Sequence, residues 1–189
     1  MQTRASAEIR RADFIFENST VRIIANRNTP EIKLAGIDIG PFEEGNEYEV
    51  LYWIAEELEK SGIAHVREDD YLDSAKLYKI QWKERAQTAG QISKPADDFY
   101  PKLRRCIKEL RHAPSKTPEK MREYERVTQL AQDIVNSRLK KIVSLAAAPA
   151  QTEHAVKNLT DEEKFLYERL SKLIQEWRTQ IIECEEAEE

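Results

Sequence analysis

The sequence predicts an α+β chain: a small β-rich N-terminal domain followed by an all-α helical bundle domain. Three observations carry this. Val21, Ile23 and Ala25 alternate with polar neighbours, the period-two signature of a half-buried strand. Gly36, Gly40 and Gly45, three of the five glycines in the chain, cluster around Pro41, so backbone freedom and restriction fall together at one turn. From about residue 73 onward apolar residues recur at three- and four-residue spacing, the signature of amphipathic helices. The expected organisation is a flexible leader over 1–12, the β-rich domain over 13–72, the helical domain over 73–182 and an acidic tail over 183–189.

Within the first domain, Phe14 and Phe16 read as a strand that turns at Asn18 and Ser19 into the strand at 21–25. A further strand is expected at 32–35, extended by Ile37 and Ile39, with Asn28, Thr29 and Pro30 as the turn before it. Asn46 and Glu49 have the spacing of an N-cap and its N3 carboxylate. Leu51, Ile54, Ala55 and Leu58 then lie on one helical face, and Gly62 ends the helix. A closing strand follows at 63–66.

Helices fill the rest. Asp73 and Ser74 cap one carrying Leu77, Tyr78, Ile80 and Trp82, and the polar run 87–94 reads as a linker. Asp97 and Asp98 cap the next, which tolerates Pro101 in its first turn and buries Phe99, Leu103, Cys106, Ile107 and Leu110. Pro114 and Pro118 follow it. The stretch 117–147 has no glycine, and no proline beyond its opening turn, and predicts the longest helix, roughly 45 Å at 1.5 Å per residue. Its inner face reads Met121, Tyr124, Val127, Leu130, Ala131, Ile134, Val135, Ile142, Leu145 and Ala146. Arg138 falls inside that stripe, where a charge requires a partner, so it reads as a paired arginine tying helices together. Pro149 ends the helix, and 148–158 is a polar connection. Thr160 and Glu163 form a capping box opening a last helix with Leu166, Leu170, Leu173, Ile174, Trp177 and Ile181.

Hydrophobic residues make up 40% of the 189 and charged residues 34%, a balance that suits a folded, water-soluble chain. No apolar run approaches the ~20 residues needed to span a bilayer, and the N-terminus lacks a signal-peptide core, so a cytoplasmic location is expected. Cys106 and Cys184 are too few and too far apart for a disulfide framework or a metal cluster and read as free thiols. Charge is segregated. Residues 1–75 hold 8 basic and 16 acidic side chains (net −8), 76–147 hold 17 and 8 (net +9), and 148–189 hold 5 and 11 (net −6). The basic block pairs with acidic flanks or an acidic partner, or it contacts nucleic acid through Lys102, Arg104, Arg105, Lys108 and Arg111 on one helix. Few aromatics interleave with the basic runs.

Residues for catalysis are missing from the pattern. His65, His112 and His154 are scattered with no ligand-spaced companions, there is no phosphate-binding glycine loop, and no serine sits in a nucleophile elbow. Asp69 with Asp70 and Asp97 with Asp98 are adjacent carboxylates, the latter explained by helix capping. A non-enzymatic protein with no cofactor or metal is expected.

Five stretches, in order, resemble the GINS family of chromosomal DNA replication: GIDIGPFEEGNEYEVLYWIAEEL at 36–58, LYKIQWKER at 77–85, DDFYPKLRRCIKEL at 97–110, DIVNSRLKKIVSLA at 133–146 and LTDEEKFLYERL at 159–170. Together they span most of 20–180. The resemblance is to the subunit type with the small β-rich B domain before the helical A domain, and the compact loops are more similar to archaeal members. It implies a non-enzymatic scaffold in a tetramer, either of this chain alone or in a two-plus-two arrangement with an A-first paralogue. That tetramer would bridge the MCM helicase and a RecJ-like protein at the fork, with primase or polymerase as further partners, weak or no direct DNA binding and a nucleoid-associated location. On this reading Tyr124, Val127, Leu130, Ile134 and Arg138 are the expected subunit interface, and Gly40, Pro41, Phe42 and Trp53 build the small domain's turn and core.

Overall fold

The computed structural model describes residues 4–34, 36–67, 71–86, 91–96, 98–112, 117–148 and 153–182. Outside them lie residues 1–3 of the expected leader, Ala35, Asp69 and Asp70, 87–90 of the expected linker, Asp97, Pro114, Pro149 and the tail 183–189 with Cys184. The elements run α1 (Arg4–Glu17), β1 (Thr20–Ala25), β2 (Ile32–Leu34), β3 (Ile37–Ile39), β4 (Glu47–Leu51), α2 (Tyr52–Lys60), β5 (Ala64–Val66), α3 (Ser74–Ala86), α4 (Phe99–His112), α5 (Pro118–Ala147), α6 (Glu153–Val156) and α7 (Asp161–Ile182). A small sheet region is thus followed by a mostly helical domain. The chain divides into two compact units, Asp13–Leu72, and Asp73–Glu189 together with Met1–Ala12.

In the small unit, β1 is the central strand of an antiparallel sheet ordered β4-β1-β5, with Val21 opposite Val50 and Ile23 opposite both Tyr48 and Val66. Val21, Ile23, Ala25, Val50, Ala64 and Val66 meet Ile54, Ala55 and Leu58 of α2 in one core. Helix α2 ends in a Schellman arrangement: Ile63 N–H donates to the Leu58 carbonyl and Gly62 N–H to that of Glu59, with Gly62 at φ +66°.

Three expectations are corrected here. Residues 4–12 of the leader and the strand holding Phe14 and Phe16 are replaced by one helix, α1. Residues two apart lie on opposite sides of a helix, and accordingly Phe16 is buried against Tyr52, ring centroids 4.5 Å apart, whereas Phe14 is exposed. The Asn46 and Glu49 cap is strand instead, because the alternation of Glu47, Tyr48, Glu49 and Val50 is satisfied by pairing with β1. Helix α2 begins at Tyr52, with no side-chain cap on Leu51, and its first N–H donates to the Ser19 carbonyl at 2.9 Å. Ile37 and Ile39 do not extend the preceding strand; Gly36, at φ +85°, separates two strands that pair as a hairpin.

In the helical unit α5 packs against α3, α4 and α7. The expected cap at Asp73 is present, its carboxylate accepting from Lys76 N–H at 2.6 Å, and Thr117, not foreseen as a cap, caps α5 with Pro118 behind it. At α7 the Thr160 hydroxyl accepts from Glu163 N–H (3.3 Å) while the Glu163 carboxylate accepts from Thr160 N–H (3.1 Å). The linker is corrected in part, since Ile92 and Ser93 are buried within the bundle.

Arg138 is 1% exposed, and each of its three guanidinium nitrogens donates to a buried partner. It grips Glu163 with Nε at 2.5 Å and Nη2 at 2.7 Å, Glu84 with Nη1 at 2.6 Å, and the Ser93 carbonyl at 3.1 Å. Lys141 completes Glu84, donating to its carboxylate at 2.7 Å and its carbonyl at 2.8 Å, and the Ser93 hydroxyl donates to the same carboxylate. Tyr100 donates to Glu163 at 2.6 Å. Two cations therefore meet two anions, and α3, α4, α5, α7 and the 91–96 segment are joined at one neutral cluster. Burial alone would lower the guanidinium's pKa, but Glu163 and Glu84 hold it above its usual range; burial and Glu163 push the Tyr100 phenol up. Burial opposes ionisation of Glu84, yet Lys141, Ser93 and Arg138 hold its carboxyl below the ordinary 4.5.

Removing one partner from such a cluster leaves buried charge behind, so Arg138→Met should cost about 3–5 kcal/mol in urea unfolding at neutral pH. A loss under about 1 kcal/mol, the size of an exposed pair, would contradict a closed network. The depressed Glu84 carboxyl adds stability that is complete above 4.5 and is lost as pH falls through its lower folded value. Glu84→Gln should therefore flatten the decline in urea stability between about pH 5 and pH 3; an unchanged decline would assign it to other carboxylates.

Candidate subunit interface

Helix α7 buries Glu163, Tyr167 and Ser171 toward the bundle, with Leu170 and Ile174 packed on the cluster of Ile92, Ile142, Leu145, Ala146, Ala155 and Leu159. The flank beside that buried side is also apolar. Leu166, Leu173, Trp177 and Ile181 follow at steps of seven, four and four and make one stripe, with Leu173 62% and Trp177 60% exposed and Ile182 beyond them. On α5, Val135, Leu139 and Val143 form a second exposed row at steps of four. One exposed leucine needs no explanation, but rows of them mark surfaces with an occupant.

The position of the α7 stripe is fixed at both ends. Glu163 is clamped by Arg138, and Arg178 donates to the Ala147 carbonyl at 2.8 Å, satisfying an orphan acceptor at the end of α5. The two helices thus run in the same direction, and residues 179–182 carry the stripe past that tie.

The expected interface set is corrected by burial. Val127, Leu130, Ile134 and Arg138 lie inside this chain's own bundle, and only Tyr124 is partly exposed. Inner and outer faces of a helix share the same 3.6-residue period, so periodicity alone gave no means of separating them. Val135 shows the converse: placed on the inner stripe by spacing, it is exposed. Leu139 and Val143 were missed because Leu139 sits between Arg138 and Lys140 and Val143 directly follows the inner-face Ile142, although Val135, Leu139 and Val143 are readable as an i, i+4, i+8 row.

The other expected residues are accounted for by structure. Phe42 is buried and meets Tyr48 edge-on at 5.0 Å, and Trp53 packs half-buried against the same core. Gly40 lies at φ +93°, and a Cβ there would sit 3.3 Å from the Phe42 ring, so the turn requires glycine. The loop after Pro41 is pinned by Phe42 and Thr29 exchanging two 2.8 Å bonds and by Glu44 N–H donating to Asn28 at 2.7 Å. An open concavity of about 630 Å³ beside it is lined by these same residues. On α4, Lys102 pairs with Asp98 at 2.8 Å and Arg104 with Glu162 at 3.4 Å, Arg105 has a partner, and Lys108 and Arg111 are exposed. Burial pushes the Cys106 thiol up to about 11, which keeps it protonated and unreactive. Among the described residues no group of three His, Cys, Asp or Glu is placed to hold a metal ion, and no helix is long and apolar enough to cross a membrane.

Residues 71–182 match the family model Sld5, described as the GINS complex protein helical bundle domain, and residues 8–67 match the PSF2 N-terminal domain. The chain belongs to the GINS family. Among curated proteins it is 28% identical over 131 residues to the human DNA replication complex GINS protein PSF2 and 26% identical to its Xenopus laevis counterpart. Each alignment covers 69% of this chain and 66% of the relative, so the chain spans just under two thirds of their length. The order of the two matched regions in this GINS chain is small domain first, helical bundle second.

Leu130→Asp tests the corrected placement. A carboxylate at that buried position should abolish the cooperative unfolding transition and helical circular dichroism of the bundle. A folded protein that merely changes its oligomeric state would restore Leu130 to the interface.

Proposed function

We propose that this GINS chain is a non-enzymatic scaffold subunit of a DNA replication complex, assembling with other GINS subunits through the outward faces of α7 and α5. The observation that carries this is the stripe Leu166, Leu173, Trp177 and Ile181, apolar and exposed along the flank of a helix whose adjoining side is already buried in its own bundle. Apolar area on a helix that ends clear of its neighbours gains most from a second helical surface, and burial of that area is the main driving term for association. The family's character as a GINS complex protein supports the same reading. The finer proposals are a tetramer, of this chain alone or two-plus-two with an A-first paralogue, and a bridge from the MCM helicase to a RecJ-like protein, with primase or polymerase beyond. The archaeal character read from the compact loops and a nucleoid-associated location belong to the same proposal. The small unit, compact in its own right, is the docking module in this scheme.

The decisive measurement is the mass and composition of the complex recovered with this chain from its own cell. A tetramer-sized species containing GINS relatives is expected. Leu173→Asp combined with Ile181→Asp, both exposed, should leave circular dichroism and thermal unfolding unchanged and release the chain as a monomer. Recovery of the wild-type chain alone, or a double variant that still assembles, would overturn the proposal.

A further inference from the structure

Helix α3 has an outward face unlike that of α7. Its inward side is fully committed: Leu77, Gln81 and Glu84 are buried, Gln81 donates to Asp133 at 2.6 Å, and Glu84 sits in the Arg138 cluster. This fixes the rotation of the helix and turns Tyr78, 54% exposed, and Trp82, 66% exposed, to solvent. The two rings are one turn apart, about 6 Å along the axis at 1.5 Å per residue. Neither contacts another ring among the described residues. Exposed Ala75 and Ala86 flank the pair at three residues before and four after, leaving the ring faces uncovered.

Each ring is followed directly by an exposed lysine, Lys79 and Lys83, and neither ammonium pairs with a described carboxylate. The one acidic residue of α3, Glu84, is buried, so the outward face is cationic throughout. Lysine is depleted from protein–protein interface centres, whereas exposed rings interleaved with lysines are the equipment of single-strand binding: π-faces accept any base and cations follow the backbone. A duplex keeps its base faces stacked and out of reach of side-chain rings.

We propose that the outward face of α3 binds single-stranded nucleic acid, with Tyr78 and Trp82 as stacking platforms and Lys79 and Lys83 as phosphate contacts. The site differs from the α4 set of Lys102, Arg104, Arg105, Lys108 and Arg111, of which the first three are already partnered. It does not rest on the assembly proposed above, because α3 presents this face whatever covers α7.

The test is fluorescence anisotropy of labelled oligothymidylate of about 16 nucleotides against the full chain, alone and in its assembled complex, across a salt series. Binding is expected with quenching of tryptophan emission. Trp82→Ala and Tyr78→Ala should each weaken it about tenfold or more, with Trp82→Phe restoring most of the affinity. The pair Lys79→Ala and Lys83→Ala should reduce the slope of log K against log salt by about 1.4, at about 0.7 per phosphate contact on a single strand. All four positions are on the surface, so thermal unfolding should not change. No binding at about 50 mM salt, or equal affinity for Trp82→Ala, would overturn the proposal. So would loss of binding in the assembled complex with Trp82 shielded from acrylamide, which would give the face to a protein partner.

Discussion

A guanidinium taken almost wholly out of water costs several kcal/mol unless every charge it displaces from solvent is returned inside the protein. Arg138 meets that condition through two carboxylates, a carbonyl and a second cation on Glu84. Five chain segments are thereby fixed relative to one another. Apolar packing sets no unique register, since a helix can slide a turn and bury a similar area. Four directed bonds from one planar group cannot be made at any other register, so the cluster selects one arrangement of α3, α4, α5 and α7.

Glu163 shows how local and global structure agree. Its carboxylate closes the capping box that starts α7 and is also the chief partner of Arg138. The residue that determines where α7 begins therefore determines where α7 sits against α5. Everything further along α7 inherits that position at 1.5 Å per residue, including the apolar stripe at 173–182. In the proposed assembly that stripe is presented at a fixed height and rotation, supplied by the buried cluster from one end and by the Arg178 tie from the other.

Several of these features were legible because they depend on neighbours in the sequence. The Thr160 and Glu163 box, the Asp73 cap, the stop at Gly62 and the need of Arg138 for partners all follow from residue chemistry within a few positions. What failed depended on distant pairing. Residues 46–50 offer a respectable helix cap and an equally good alternating strand, and β1, some 25 residues earlier, decides between them. Phe14 and Phe16 offered two apolar residues to a period-two reading that needs four or more. Interface and core were confused for a deeper reason: a helix with apolar residues on both sides has one pattern for two surfaces, and only the folded bundle shows which side is already occupied.

The buried cluster also separates the two outward faces by kind. On α3 the inward positions are taken by Leu77, Gln81 and Glu84, and Trp82 lies 200° from Glu84 at 100° per residue, on nearly the opposite side. Burying Glu84 beneath Arg138 and Lys141 therefore removes the helix's one negative charge from the surface and turns its aromatic residues outward in the same act. On α7 the inward carboxylate is Glu163, at the helix start, and the residues left outside are leucine, tryptophan and isoleucine with mixed charges between them. One cluster of four ionised groups thus leaves one helix presenting rings among lysines and another presenting an apolar row, and the chemistry of a partner that suits the first is the chemistry least suited to the second.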